Sequence, residues 1–556
     1  MLSHWLAQLR GEHEALAQDV ADGRRFFWIG SGISRKQAPD LVELIRQTLL
    51  FLRDRAWSGV DDSADHEDAL RRILASHLPH ELTEYNDRGE SWVPGDLEST
   101  RNSYSQILGT WVDRKATSNY LLMEAASVPS RYGDPSIEPG LDHQLLAILI
   151  AEGVLPEMAS GNWDGLIERA VRKFTGNPKR LAVHVLAKDT RDTANVSWLA
   201  KFHGCAVKAL ENPAEYGAAI IATTGQISAW SVAPEFAHLR DPLVQKVQQF
   251  RSVVLGLSVQ DSDLLNIFTS AASTHPWTWE ADHPAYVFAE PRLLDAQETV
   301  LANSYSEYGA NRPEILKRSA FGEYSEALLG ALVIYVVVEK LKAALRRNDS
   351  LSSLIIHDLE IGVDALEELV TTLTRAEVGR LVQILTLGFS RLVEQFYGSQ
   401  HFRFDGSYTP LLDGPMSKVE QDPVVTITGA NRFALMIGLF GRGRFSARWR
   451  LRIREVDNYS FLEVRRNSSA PVLVALASDE ASVDAVLQLP SWASGAAEMA
   501  IVHASSPRPN SSRASASRLG ALRGADTRRE VWLDDVISNA RSTEDALDNL
   551  FAGGAA

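Results

Sequence analysis

Three polar side chains could carry out chemistry on a bound sugar. Asn162 and Asp164 stand at a predicted turn between a short strand near Met158 and a helix. The amide could hold a water molecule or a sugar hydroxyl while the carboxylate fixes the loop, although a helix cap would use the same residue types. His203 follows a stretch that we predict to be helical, and it could accept a proton near neutral pH. A packed or surface histidine would give the same pattern.

Two glycine-containing turns could bind phosphate groups. Residues 30–34 read Gly-Ser-Gly-Ile-Ser directly after a predicted strand, where glycines let the backbone approach a pyrophosphate. Arg35 replaces the third glycine of the usual dinucleotide pattern, so a plain strand-to-helix turn also explains this segment. A second turn contains Gly256 and Ser258 and is followed by Asp261 and Asp263, ahead of a predicted helix. It offers a nucleotide-binding loop, or a strand-to-helix connection in which an aspartate is a cap.

A parallel sheet would bring these turns together at the carboxyl ends of its strands, where ligands bind. Short apolar runs predict strands over residues 24–29, near 158, and over 181–186, 218–222, 252–257 and 285–289. Apolar residues at helical spacing predict helices over residues 2–21, 41–52 and 141–150, and one from 163. Strands separated by helices indicate an α/β fold, a Rossmann-like parallel sheet covered on both faces.

The chain is too long for one hydrophobic core, so we expect several units. The predicted units are a nucleotide-binding domain over 1–345 with a polar helical insertion at about 58–140, a helical connector over 346–420, and an α+β domain over 421–556. Helices are expected over 328–345 and 365–396, alternation and tight turns over 424–476, and a Ser-, Arg- and Pro-rich linker at about 505–523.

Arginines alternate with apolar residues in the C-terminal region and predict a half-buried strand over residues 445–455. The alternating arginines are Arg448, Arg450, Arg452 and Arg454, and we expect Arg442, Arg444, Arg465 and Arg466 to join their face. This face could contact phosphates or an acidic protein surface, or it could be an edge strand whose charge prevents aggregation.

Composition excludes several classes of protein. The net charge of -15 disfavours nucleic-acid binding by the molecule as a whole, so nucleic acid is expected only at the arginine face or through a partner. A single cysteine, Cys205, rules out a disulfide framework or a four-cysteine zinc site within the chain and suits a reducing, cytoplasmic location. The N-terminus lacks signal-peptide character, and residues 327–338 are too short to span a bilayer, so no membrane association is expected.

The segments around Gly30, Asn162, His203 and Gly256 together, in this order and spacing, resemble the sirtuin family. Its motifs are Gly-Ala-Gly-Ile-Ser, Thr-x-Asn-x-Asp, His-Gly and Gly-x-Ser, and the resemblance covers about residues 20–345. The segment at Tyr308 and Gly309 looks like the family's terminal strand. The resemblance implies NAD+ as the bound substrate.

The resemblance also implies roles for individual residues. The phosphate loop would comprise Gly30, Ser31, Gly32, Ile33 and Ser34, with Ala38, Pro39 and Asp40 in the flexible cofactor loop. Asn162 and Asp164 would contact the nicotinamide ribose, and His203 would be the general base toward a ribose hydroxyl. Gly256, Ser258 and Asp261 would hold the adenosine side.

The chain departs from deacylating sirtuins at several points. Their four-cysteine zinc module is replaced by the helical insertion, Ser31 stands for their alanine, and Gly161 stands for their glutamine. A zinc-free domain of this kind, fused to a C-terminal region, resembles bacterial antiphage effectors that destroy NAD+. The expected activity is therefore NAD+ hydrolysis without zinc. The alternatives are a protein deacylase or ADP-ribosyltransferase, and a non-catalytic NAD or ADP-ribose sensor.

The resemblance further implies partners. Family members act with Argonaute proteins or HerA-type ATPases, or bind a phage trigger protein themselves, and the sequence does not choose among these. We also expect a homo-oligomer, with the helices over 328–345 and 365–396 as candidate interface elements.

Overall fold

The structure is a computed structural model. It describes residues 2–115, 117, 119–191, 196–365, 367, 373, 377–397, 407–456, 459–466, 470–478, 480–487, 489, 498–504, 528–538 and 540–552. The linker predicted at about 505–523 lies outside the described residues, as does part of the helix predicted over 365–396.

A six-stranded, wholly parallel sheet forms the centre of the N-terminal region. Its strands are β1 (Arg25–Ile29), β2 (Glu157–Ser160), β3 (Leu181–His184), β4 (Ser197–Lys201), β5 (Arg251–Leu255) and β6 (Tyr286–Phe288). The strand order is β3-β4-β2-β1-β5-β6. All five residues of β1 are buried because side chains alternate between two apolar layers, with Phe27 packing on one face and Trp28 on the other.

The N-terminal region also contains helices that cover both faces of this sheet, together with the helices of the insertion. They are α1 (Leu2–Leu9), α2 (Glu14–Ala21), α3 (Leu41–Ala56), α4 (Ser63–His77), α5 (Pro79–Arg88), α6 (Tyr104–Leu108), α7 (Val128–Tyr132), α8 (Leu141–Ala151), α9 (Leu166–Thr175), α10 (Ala206–Glu211), α11 (Pro213–Tyr216), α12 (Thr224–Trp230), α13 (Ala237–Gln249), α14 (Ser262–Thr274), α15 (Asp295–Ser304), α16 (Tyr308–Ser319) and α17 (Ser325–Leu345). The predicted Rossmann-like α/β fold is confirmed. Helices α4 to α7 belong to the segment predicted as a helical insertion.

A second, mixed sheet lies in the C-terminal region. Its strands are β7 (Arg450–Val456), β8 (Tyr459–Arg465), β9 (Val472–Ala477), β10 (Glu498–His503) and β11 (Arg528–Trp532), in the order β11-β10-β9-β8-β7. The helices are α18 (Ser353–Asp364), α19 (Val378–Gln383), α20 (Ser390–Tyr397), α21 (Met416–Val419), α22 (Val424–Ile427), α23 (Ala430–Phe445), α24 (Glu480–Leu487), α25 (Leu533–Ser538) and α26 (Thr543–Ala552). Strands β7, β8 and β9 pair antiparallel, whereas β9, β10 and β11 pair parallel, so the predicted α+β character of this region is confirmed.

The two regions share one hydrophobic core. Helix α17 is buried over nearly its whole length and packs on α1, α2 and α8 on one side and on α23 on the other. In the last third of this helix Lys340 forms a buried ion pair of 2.9 Å with Glu152, whose carboxylate also accepts hydrogen bonds from Tyr408 and from the Leu411 amide. No helix within the described ranges is long and apolar enough to cross a membrane.

Three predictions around the first sheet are wrong. Residues 218–222 do not form a strand: a short 3-10 turn, Gly217–Ala219, leads into a buried coil. Conversely, the stretch before His203 is strand β4 and not a helix, because pairing with β2 and β3 outweighs the helix propensity of its residues. Tyr308 and Gly309 begin helix α16, whereas a terminal strand was expected there.

Helices also replace the alternation expected at the start of 424–476. Residues 424–445 lie largely in α22 and α23, and strands begin only at Arg450. Helix α23 packs so closely on α18 that a Cβ on Gly441 would lie 1.9 Å from the Gly362 carbonyl oxygen. This tertiary packing stabilises a helix where the sequence pattern predicted alternation and tight turns.

The arginine face is smaller than expected. Strand β7 is an edge strand whose Arg450, Arg452 and Arg454 side chains are exposed. Arg442 and Arg444, in contrast, lie in α23. Arg442 forms an ion pair with Asp358, and Arg444 donates to the Ala365 carbonyl.

Candidate active site

A cavity of about 750 Å³ opens at the carboxyl edge of the first sheet. The turns that follow β1, β2, β4 and β5 all reach it, because these four strands are adjacent and parallel. The predicted site residues that line it are Gly30, Ser31, Ser34, Ala38, Pro39, Asp40, Asn162, Asp164, His203, Gly256, Ser258 and Asp261. The structure thus brings together residues from four separate chain segments.

Gly32 and Ile33 do not line the cavity. Ile33 is buried in the core below the turn. The Gly32 amide donates to the Gly256 carbonyl at 2.9 Å, and a Cβ on Gly32 would lie 2.6 Å from the Gly256 Cα. Gly32 therefore packs the first turn against the turn after β5, and this contact requires glycine at both Gly32 and Gly256.

The amide of Asn162 has a fixed orientation. Its Nδ2 donates to the Gly30 carbonyl at 3.1 Å and to Ser34 Oγ at 3.3 Å. Because a carbonyl can only accept, these contacts identify the nitrogen and leave Oδ1 on the other side. This Oδ1 is buried and has no hydrogen-bond partner among the described residues. A buried, unpaired acceptor calls for a donor from a ligand or a water molecule.

A buried histidine that the sequence analysis missed supports this arrangement. Nδ1 of His143, in the first turn of α8, accepts from the Gly140 amide at 3.1 Å. Burial lowers the pKa of His143, so the ring is neutral and its Nε2 hydrogen points to Ser34 Oγ at 3.1 Å. Ser34 Oγ thus accepts two hydrogen bonds, and its own hydroxyl hydrogen remains available to a ligand.

Asp164 fixes the second turn from within. Its Oδ1 accepts from the Leu166 amide at 3.0 Å at the start of α9. The Asp164 carbonyl accepts from Lys201, a fully buried lysine that also pairs with Glu168 at 2.7 Å. The side chain therefore has the capping role that the sequence left open, while it also lines the cavity.

His203 lies at the end of β4 and has an acidic partner. Its Nε2 is 2.7 Å from Oδ2 of Asp263, which is completely buried near the start of α14. Burial alone would lower the pKa of His203, but the charge and hydrogen bond of Asp263 outweigh it and raise this pKa above its usual value. Asp263 was seen in the sequence only as a possible helix cap.

The insertion supplies one wall of the cavity. Tyr104 donates to Asp261 Oδ1 at 3.1 Å, and Arg101 pairs with Asp40 at 3.3 Å. Further contact comes from Thr224, whose hydroxyl donates to Ser105 at 3.2 Å. Burial raises the pKa of the Asp261 carboxyl. The insertion is therefore held to three other segments of the cavity wall, and no sequence pattern predicted these contacts.

Comparison with known proteins adds no assignment. No protein-family model matches the chain, and no curated protein matches it significantly. Among the residues that the structure describes, no group of histidine, cysteine, aspartate and glutamate side chains is arranged to hold a metal ion.

Proposed function

We propose that this protein is an NAD+ glycohydrolase that releases nicotinamide and ADP-ribose. The observation that carries the proposal is the pairing of the unpartnered Asn162 Oδ1 with His203 in one cavity at the carboxyl edge of a parallel sheet. The choice of NAD+ as the substrate rests on the resemblance of the four surrounding turns to sirtuins.

The cavity suits a dinucleotide in size and in polarity. Its volume falls within the range of ordinary ligand sites, roughly 300–1,000 Å³. The hydroxyl hydrogen of Ser34 is free to bind an acceptor, and Arg35 places a positive charge in the wall, whereas Arg101 is already paired with Asp40. These groups favour an anionic ligand such as a pyrophosphate.

The reaction needs little covalent chemistry from the protein. The bond between ribose C1′ and the nicotinamide nitrogen breaks, and its electron pair leaves with neutral nicotinamide. A water oxygen then forms a bond to C1′ and releases a proton. Asn162 Oδ1 accepts a hydrogen bond from this water or from the ribose, while His203 takes up a proton from the ribose hydroxyl or the water.

The insertion favours hydrolysis over transfer to a protein. Residues 101–106 contribute Arg101, Asn102, Tyr104, Ser105 and Gln106 to the cavity wall. A peptide acceptor would have to share this space with side chains already bound to Asp40, Asp261 and Thr224. Water requires no such groove.

The biological role follows from the resemblance to antiphage effectors. An enzyme that depletes NAD+ in the cytoplasm must be restrained until infection, and the C-terminal region shares a core with the site domain. An Argonaute, a HerA-type ATPase, a phage trigger protein or self-association would relieve that restraint through this region.

The test is NAD+ turnover by the purified chain, alone and with lysate of phage-infected cells. Asn162→Ala and His203→Ala should each abolish release of nicotinamide. Asn266→Ala and His357→Ala, two exposed positions outside the cavity, should retain it. Consumption of NAD+ only with an acylated peptide would replace this proposal by a deacylase. NAD+ that binds but is never consumed would replace it by a sensor.

A further inference from the structure

Asp263 lies behind His203 and is not part of the cavity wall. We infer that Asp263 is a positioning residue, which holds the imidazole of His203 with Nε2 turned inward and Nδ1 presented to the substrate. This inference rests on the proposed function, and it identifies Nδ1 of His203 as the nitrogen that accepts the proton.

The carboxylate of Asp263 is held at both oxygens. Oδ2 contacts His203 Nε2 at 2.7 Å, and Oδ1 accepts from the Leu264 amide at 2.9 Å. The imidazole is also confined by the ring of Phe202, whose centroid is 4.7 Å away at an interplanar angle of 75°. Neither partner can rotate without breaking a buried hydrogen bond, so the orientation of the pair is fixed.

This contact determines the tautomer. An ionised carboxylate can only accept, so the hydrogen of the neutral imidazole must be on Nε2. Nδ1 then carries the lone pair. It has no hydrogen-bond partner within the described part of the chain, and a Cβ added to Gly161 would lie 3.5 Å from it. The basic nitrogen therefore faces the turn that carries Asn162.

The charges around the ring favour proton uptake. Asp263 and Asp261 both act on His203 from the β5 side. The other titratable groups of the cavity wall are Arg35, Asp40, Arg101, Tyr104, Tyr132, Asp164 and Glu290. During the reaction a proton moves from a hydroxyl or water oxygen to Nδ1, and the carboxylate of Asp263 at Nε2 stabilises the imidazolium. The raised pKa of His203 agrees with this role.

Asp263→Asn is the decisive variant. Its side-chain oxygen can still accept from the Leu264 amide, so this hydrogen bond is kept. Its NH2 group instead donates to Nε2, which forces the imidazole hydrogen onto Nδ1 and removes the base. NAD+ turnover should fall by about 100-fold or more, while the Kd for NAD+ stays within about twofold. Asp241→Asn, at an exposed position, should leave both unchanged.

A spectroscopic readout separates this inference from the proposed activity. Ring-nitrogen NMR of the full chain with labelled histidine, assigned by the signal lost in His203→Gln, reports the tautomer directly. The wild type should show neutral His203 with hydrogen on Nε2, and Asp263→Asn should show it on Nδ1 with a lower pKa. The wild-type spectrum decides the question even if the variant does not fold.

Two results would overturn the inference: neutral wild-type His203 with hydrogen on Nδ1, or a folded Asp263→Asn variant with unchanged turnover. Absence of NAD+ turnover in the wild type under every trigger would refute the hydrolase. It would leave the NMR result standing as a separate test of the pair.

Discussion

The contact between the first turn and the turn after β5 allows a quantitative prediction for Gly32→Ala. The added Cβ would lie 2.6 Å from the Gly256 Cα and 2.8 Å from the Gly256 oxygen, whereas ordinary contacts begin at 3.4 Å. Because both neighbours are backbone atoms, the two turns must separate by about 0.8 Å, a distortion that typically costs about 1–3 kcal/mol.

This displacement should affect the site more than the fold. The Gly30 carbonyl and Ser34, which orient Asn162, lie in the turn that moves. A misplacement of about 1 Å can cost about 100-fold in rate, so we expect a loss of that order in NAD+ turnover.

The assay compares turnover and urea denaturation of Gly32→Ala with those of Gly225→Ala. A Cβ on Gly225, an exposed residue in α12, meets nothing within 4 Å. This control should keep full turnover and be as stable as the wild type or up to about 1 kcal/mol more stable. Turnover of Gly32→Ala within threefold of the wild type would refute the reasoning.

Four further outcomes follow from the geometry. The rate of NAD+ hydrolysis, measured from pH 5 to pH 9, should rise with pH through a midpoint above the usual histidine value of about 6.5, because the base must be deprotonated and the pKa of His203 is raised. In urea denaturation, Lys340→Met should cost about 3–5 kcal/mol by removing the cation that pairs with the buried Glu152 carboxylate, and adding Glu152→Gln should recover part of the loss. Tyr104→Phe should weaken NAD+ binding by about 2- to 10-fold in calorimetry, since it removes one hydrogen bond to Asp261 in the cavity wall. Prolonged treatment with a zinc chelator should leave turnover unchanged, and a loss that added zinc restores would contradict the zinc-free site.

The parallel sheet was predictable because its strands are short apolar runs. Such a run indicates burial, and burial on both faces indicates a parallel sheet between helices. The same signal failed at residues 218–222, where Ile220 and Ile221 are buried in a coil. An apolar run reports the environment of its side chains, so it distinguishes a buried strand from a buried coil only when pairing partners are known.

The turns at the cavity were predictable for a related reason. Each of Gly30, Asn162, His203 and Gly256 immediately follows a strand or lies within two residues of its end. In a parallel sheet, position just after a strand is enough to place a residue at the ligand-binding edge. Local sequence therefore carries the information about which residues reach the cavity.

The groups that set the protonation states were not predictable in this way. Asp263 meets His203 across 60 positions of sequence, and His143 meets Ser34 across 109. Both residues lie in helices, where an aspartate or a histidine is equally typical of a helix cap or a packed side chain. Nothing in the local sequence therefore marks either residue as functional. Their effect depends on burial, which strengthens a charge or a hydrogen bond only after the helices have packed. The positions of the protons at this site therefore depend on how the core is packed. A variant that preserves every residue lining the cavity can still abolish the reaction.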